Sequence, residues 1–400
     1  MKSIQTLALL ALTALFFSCK QDAKQAATTP APTAPEAAAP TVAKPESYLY
    51  AVTVDKLNLR DQPNKAGKVL AQFAEGEIVE GTGQESANKE EATLRGITWT
   101  EPYFEVKSPT AGQPNGWAYG GALQPIYAGQ RTGSPDIGKL KALNAHFKTL
   151  NTKQLESGKK AWDFVKTNFA TATGSTADAA FVLLEKFLSR MEREGEFYKM
   201  TEDFKWAEGE YEAISNETFD PNKYPHTKTI IQNGFRLEAG EGMIFPIPDW
   251  AKLAEFFAPK TTPAMKSFIE QEFLEQKDQA WSDGGIIISL EKLADRGAWW
   301  ERFNRENPYF PLHSQTIESE RWPRLVLING SDNTPIYDYD SQSITEDSKK
   351  VWAYIQQKYP GTKLAAAAKQ MADLCAAEGW KRTKKVEEFQ AKFLESYDNQ

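Results

Sequence analysis

The period of the apolar residues changes once along this chain, near residue 128, and that change constrains the fold more than any other feature. Between Tyr48 and Tyr127 apolar and polar residues alternate over short runs broken by turn residues: "LYAVTV", "KLNLRDQP", "KVLAQFAEGEIVEGTG", "ITWTEPYFEVKS" and "NGWAYGGALQPIY". A period of two sends successive side chains to opposite faces of a strand, so Leu57 and Leu59 share one face and Asn58 and Arg60 the other. Five short strands with turns between them predict a small closed or nearly closed all-β barrel rather than a sheet covered by helices. After a linker, "AGQRTGSPDIG", apolar residues recur every three to four positions, as in "DIGKLKALNAHFKTL", "TADAAFVLLEKFLSRMEREGEF", "TPAMKSFIEQEFLEQKDQAW" and "TEDSKKVWAYIQQKY". That spacing predicts amphipathic helices, with Ser134 or Asp136 capping the first and Ser289 a later one. "NGFRLEAGEGMIFPIPDW", residues 233–250, alternates on both sides of Ala-Gly-Glu-Gly and reads as a β-hairpin. The expected architecture is multi-domain, a small all-β barrel over 48–127 followed by a mainly α-helical domain over 128–400 that contains one hairpin.

The N-terminus carries a different signal. "MKSIQTLALLALTALFFSC" has one Lys, an apolar run from Leu7 to Phe17, then Ser18 and Cys19. The run is too short for an ordinary spanning helix and has the layout of a secretory signal over residues 1–18. Its end resembles the lipobox of bacterial lipoprotein signals, with Phe16 where that pattern usually has Leu. The resemblance implies that Cys19 carries a diacylglyceryl group and begins the mature chain; a signal peptide cut elsewhere is the plainer alternative. Acyl chains contribute roughly 0.8 kcal/mol per buried methylene, enough to hold a folded protein at a membrane. Residues 19–47 are rich in Ala, Pro and Thr and cannot form a core, so they read as a semi-extended tether. The expected location is the bacterial cell envelope, with the periplasmic side and the cell surface both open.

The barrel region also carries a resemblance. Asn58-Leu59-Arg60, Pro63, Gly76, Val106 and Gly116-Trp117 follow one another as in bacterial SH3-type (SH3b) domains. Two polar insertions depart from that pattern, "GQESANKEEATLRGI" and "SPTAGQPN", and both read as exposed loops. Domains of this kind in exported bacterial proteins bind peptidoglycan peptides, act as spacers or contact partner proteins. The resemblance therefore implies an SH3-like barrel whose groove aromatics would be Trp99, Tyr103, Trp117 and Tyr119; Trp117 reads first as the residue that closes the core. The blocks "EAGEGMIFPIPDW" and "SDGGIIISLEKLADRGAWWERFNRENP" resemble only uncharacterised C-terminal regions of exported bacterial proteins, and no activity comes with that likeness.

Three polar stretches interrupt the helices and concentrate carboxylates at Glu238, Glu241, Asp249, Asp283, Asp295, Asp332 and Asp338. Capping and turns use these same residues and account for them first. The second reading is an acidic cleft built from Glu238, Glu241, Asp249, Asp283 and Asp332, which requires the hairpin to pack beside the loops at 282–288 and 329–340. A net charge of −7 and the lack of a dense Lys/Arg cluster argue against nucleic acid. His146, His226 and His313 stand far apart, which disfavours a zinc hydrolase, and no His follows Cys375 as a cysteine peptidase would need. Cys375, in a helical pattern with small neighbours, reads as core. No cofactor is expected. Two functions remain: an envelope lipoprotein that binds peptidoglycan or a partner protein, and a carboxylate-dependent glycan hydrolase.

Overall fold

The structure, a computed structural model, describes residues 42–398 apart from 196, 198–204, 217–219, 221 and 241–242. The leader, Cys19 and most of the tether lie outside these residues, as does Glu241. Seven antiparallel strands form one curled sheet: β1 (Ser47–Val52), β2 (Leu57–Arg60), β3 (Val69–Phe73), β4 (Ile78–Leu94), β5 (Ile97–Val106), β6 (Gly116–Tyr119) and β7 (Leu123–Gly129). Their order is β3-β2-β6-β5-β4-β1-β7, so β3 and β7 are edges and the sheet is a seven-stranded half-barrel where a closed or nearly closed five-stranded barrel was expected. Leu57, Leu59, Phe73, Val79, Val106 and Ala118 fill its core, as the period-two pattern requires.

The first insertion is a strand pair rather than a loop. β4 and β5 run past the rest of the sheet as a hairpin, turning at Arg95-Gly96 with φ of 50° and 77°. Two successive positive φ values suit the right-handed twist of a hairpin, and only Gly takes the second without strain. Thr93 and Thr98 face each other across the ladder with their hydroxyls 3.1 Å apart. The second insertion, "SPTAGQPN", is the loop expected.

Twelve helices are present among the described residues: α1 (Ile137–Lys148), α2 (Glu156–Asn168), α3 (Ser175–Gly195), α4 (Glu210–Ser215), α5 (Pro225–Gln232), α6 (Trp250–Phe257), α7 (Pro263–Lys277), α8 (Leu290–Glu306), α9 (His313–Asn329), α10 (Glu346–Lys358), α11 (Lys363–Ala377) and α12 (Lys384–Asp398). The Asp136 carboxylate accepts from Lys139 N at the start of α1, and Ser289 Oγ accepts from Lys292 N at the start of α8. β8 (Phe235–Gly240) and β9 (Met243–Pro248) form the expected hairpin, paired from Phe235–Pro248 to Gly240–Met243. Phe235, Leu237 and Ile247 are buried, whereas Met243 is exposed. None of the described helices is long and apolar enough to cross a membrane.

Contacts divide the chain into two compact units that cut across the division read from periodicity. The first comprises Thr41–Asp278 with Asn307–Gln315; the second comprises Gln279–Glu306 with Thr316–Gln400. In the first unit the curled sheet packs on α1 and α3. Asn144 Nδ2 donates to the Gly76 carbonyl at 3.0 Å, and Glu75 pairs with Arg95 at 2.6 Å and with Arg190 at 2.8 Å. In the second unit Leu293, Trp352, Ile355, Met371 and Val386 form a core that also buries Cys375, whose thiol burial pushes up to about 11. A short hairpin, β10 (Trp281–Ser282) and β11 (Gly285–Ile286), turns on Asp283-Gly284, again with both φ positive.

Candidate functional site

Alternation along β5 and its register with β6 bring the four candidate groove aromatics to one face. Tyr103 lies across from Tyr119, Glu105 lies across from Trp117, and Trp99 is four positions from Tyr103 on the same strand. Cross-strand partners and alternate residues share a face, so all four side chains project to the same side of the sheet. They do not share one exposure. Tyr103 and Tyr119 are 3% and 7% exposed, with rings edge-on at 5.5 Å, and form a floor rather than the accessible surface expected of them. Trp99 and Trp117 are half-buried against the same core and keep one side open. Trp99 comes before Tyr103 on β5 and Trp117 before Tyr119 on β6, so in the antiparallel register the two indoles lie on either side of the tyrosine pair.

The floor is held by polar contacts from the elongated hairpin. Tyr103 donates its hydroxyl to Glu90 Oε2 at 3.0 Å, and the Tyr119 hydroxyl reaches the carbonyls of Glu90 and Trp99 at 2.9 and 2.8 Å. Burial first, then the Glu90 carboxylate, holds the Tyr103 phenol above its ordinary range, so it stays protonated and remains a donor. Glu90 also accepts from Lys65 N at 3.2 Å, and the Lys65 ammonium donates to the Glu91 carbonyl. The Asp61–Lys68 loop is thereby tied to β4. Arg60, next to Trp117 in the β2–β6 register, donates to the Gly67 carbonyl at 2.7 Å and closes that loop. Arg60 was read from sequence only as part of the Asn58-Leu59-Arg60 run, and Lys65 and Glu90 were not singled out. The signal that would have found Glu90 is the Arg-Gly pair flanked by Thr-Leu and Ile-Thr, a two-residue hairpin turn inside the supposed loop.

The acidic candidates are divided between the two units. Asp249 is spent as the cap of α6, accepting from Lys252 N at 3.3 Å and facing its ammonium at 3.7 Å. Glu238 lies on β8, in the same unit as Asp249. Asp283 and Asp332 are exposed and belong to the second unit, where their loops do meet: Asn333 N donates to the Gly284 carbonyl at 3.1 Å, and Ile286 N donates to Thr334 Oγ1 at 2.9 Å. The hairpin that was to close the cleft is part of the first unit, so neither unit gathers these carboxylates. Asp295 is engaged by Tyr354, Lys358 and Tyr359, and Asp338 accepts from Ser341 N. Cap and turn chemistry therefore accounts for Asp249 and Asp338. No family model, no curated protein and no solved structure matches the chain.

Proposed function

We propose that this chain is a lipid-anchored binding component of a bacterial cell envelope, which holds an extended ligand on its curled sheet and does not catalyse. On this reading the sheet is an SH3-like barrel of the bacterial type, opened by the elongated β4–β5 hairpin, and Cys19 carries the anchor. The observation that carries the reading is the aromatic face. Two half-open indoles flank a rigid, hydrogen-bonded tyrosine floor, which suits a peptide-bearing polymer such as peptidoglycan or a strand of an envelope protein better than a small metabolite. The apolar leader and the Ala/Pro/Thr tether support the location.

Sedimentation with insoluble peptidoglycan tests the ligand. The full chain is expected to co-sediment, and Trp99→Ala with Trp117→Ala to lose about tenfold in affinity, the loss of one or two aromatic contacts. No soluble fragments are expected; their release would favour the hydrolase. Cell fractionation of Cys19→Ala tests the anchor, and unchanged membrane association would exclude lipid attachment there.

A further inference from the structure

The second unit contains a cleft that the aromatic face does not involve. It has a volume of about 600 Å³ and lies between the segment entering α8, the loop after α9 and the first turn of α10. Its walls are fixed by the Asn333–Gly284 and Ile286–Thr334 bonds, by Thr345 N donating to the Ile336 carbonyl at 2.9 Å, and by Asp338 N donating to the Ser343 carbonyl at 2.8 Å. Ile288, Leu290, Val326 and Ile336 make its floor and one wall apolar. Every charged residue lining it is acidic: Glu291, Asp338 and Asp347. Three cations lie close to it: Lys381, beside Asp338, donates to the Ser341 carbonyl and to Ser343 Oγ at 3.0 and 2.6 Å, and the other two have partners of their own. Arg382 lies 4.1 Å from the Tyr337 ring and pairs with Glu387, while Lys349 lies over Trp380 and pairs with Glu346. Asp347 faces Lys350 at 3.5 Å, but both side chains are largely exposed and such a pair holds weakly. Ile287 and Tyr339 stand 57% and 58% exposed beside the opening, so the apolar surface continues outside the cavity.

We propose that this cleft docks an extended segment of a partner protein in which Lys or Arg alternates with apolar residues. An apolar floor under a rim of one sign selects a ligand of matching pattern, because its apolar side chains are buried while its cations meet Asp338 and Glu291 without being desolvated. A neutral apolar segment leaves the rim unmatched, and an acidic segment is repelled by it. The proposal is independent of the aromatic face and of the anchor.

The test is fluorescence anisotropy of the labelled peptide Gly-Leu-Lys-Phe-Lys-Leu-Gly with the full chain. Binding is expected, weakening as salt rises. Glu291→Gln and Asp338→Asn are each expected to weaken it about threefold, the size of one exposed ion pair. Ile288→Ser is expected to weaken it about tenfold through lost apolar burial. Asp163→Asn, a surface change on α2, is expected to leave binding unchanged, and circular dichroism to be the same for all four variants. Four results would each overturn the proposal: no binding at about 1 mM chain, equal binding of a peptide with Glu in place of Lys, undiminished binding by the combined cleft variants, or a chain dimer that these variants dissociate.

Discussion

Glu272 on α7 is 1% exposed, and burial first, then the nearby Glu275 carboxylate, pushes its carboxyl up to about 8. Gln315 Nε2 donates to one oxygen at 3.3 Å, and the other is buried without a partner among the described residues. In the unfolded chain the same group ionises near the ordinary glutamate value, about 4.3. Folding therefore retains a proton that the unfolded chain releases. This contribution to stability is full below the ordinary value, falls as pH rises, and has run out above about 8. Glu272→Gln cannot titrate, so its melting temperature is expected to fall less than the parent's between pH 5 and pH 8, with parallel curves above that window. Curves that run parallel throughout would show that Glu272 does not hold the proton. No periodicity argument finds such a residue, because a Glu at helical spacing reads as solvated surface until its neighbours in three dimensions are known. The caps at Asp136, Ser289 and Asp249 were open to sequence reasoning for the opposite reason: each acts on a backbone N–H three residues away.

At the scale of elements, the β4–β5 hairpin supplies the acceptors for the tyrosine floor. Glu90→Ala would leave the Tyr103 hydroxyl buried without its partner, at a cost of about 1–3 kcal/mol, whereas Tyr103→Phe removes donor and need together and should cost less. Chemical denaturation of the two variants compares them directly; an equal or larger loss for Tyr103→Phe would contradict the assignment. The hairpin itself was hard to read because its strands are polar on both faces, so no apolar alternation marks them. The α9 helix is hard to read from sequence for another reason. Pro323 lies inside it, and proline ordinarily ends a helix. Here its ring is packed 3.1 Å from where a Cβ on Gly297 would lie, so tertiary contact holds the helix where local preference would break it. The outer edge of the sheet shows a matching device. Val69 and Leu70 of β3 are exposed, but the ladder with β2 shifts register between Leu59 and Arg60, which spoils β3 as a template for another strand.

At the scale of the whole molecule, residues 48–127 were expected to form a domain separate from the helices, yet the sheet shares a unit with the helices that follow it. Glu75, on the turn before β4, holds Arg95 of the hairpin and Arg190 of α3 at once, and Glu194 pairs with Arg95 at 3.3 Å. The Glu75 and Arg190 side chains are each 21% exposed. A double-mutant cycle of Glu75→Gln with Arg190→Gln is expected to give a coupling of about 0.5–1 kcal/mol. Additive losses would mean that the sheet and α3 are joined by packing alone. This division was not legible in sequence, where the change of period at residue 128 looks like a domain boundary. Period reports which element a residue belongs to, and the contacts that build a unit are made between elements distant in sequence.

The return of Asn307–Gln315 to the first unit bears on how the chain is made. Phe310, its ring 5.1 Å from that of Phe268, and Gln315, bonded to Glu272, complete a core whose other members end at Asp278. During synthesis from the N-terminus that core must wait, open on one side, until the whole of Gln279–Glu306 has emerged. For this interval α7 shows Phe268 to solvent, and the stretch that will close it is separated from it by part of another unit. The curled sheet and its first helices can assemble early, but the first unit finishes only after the second has begun.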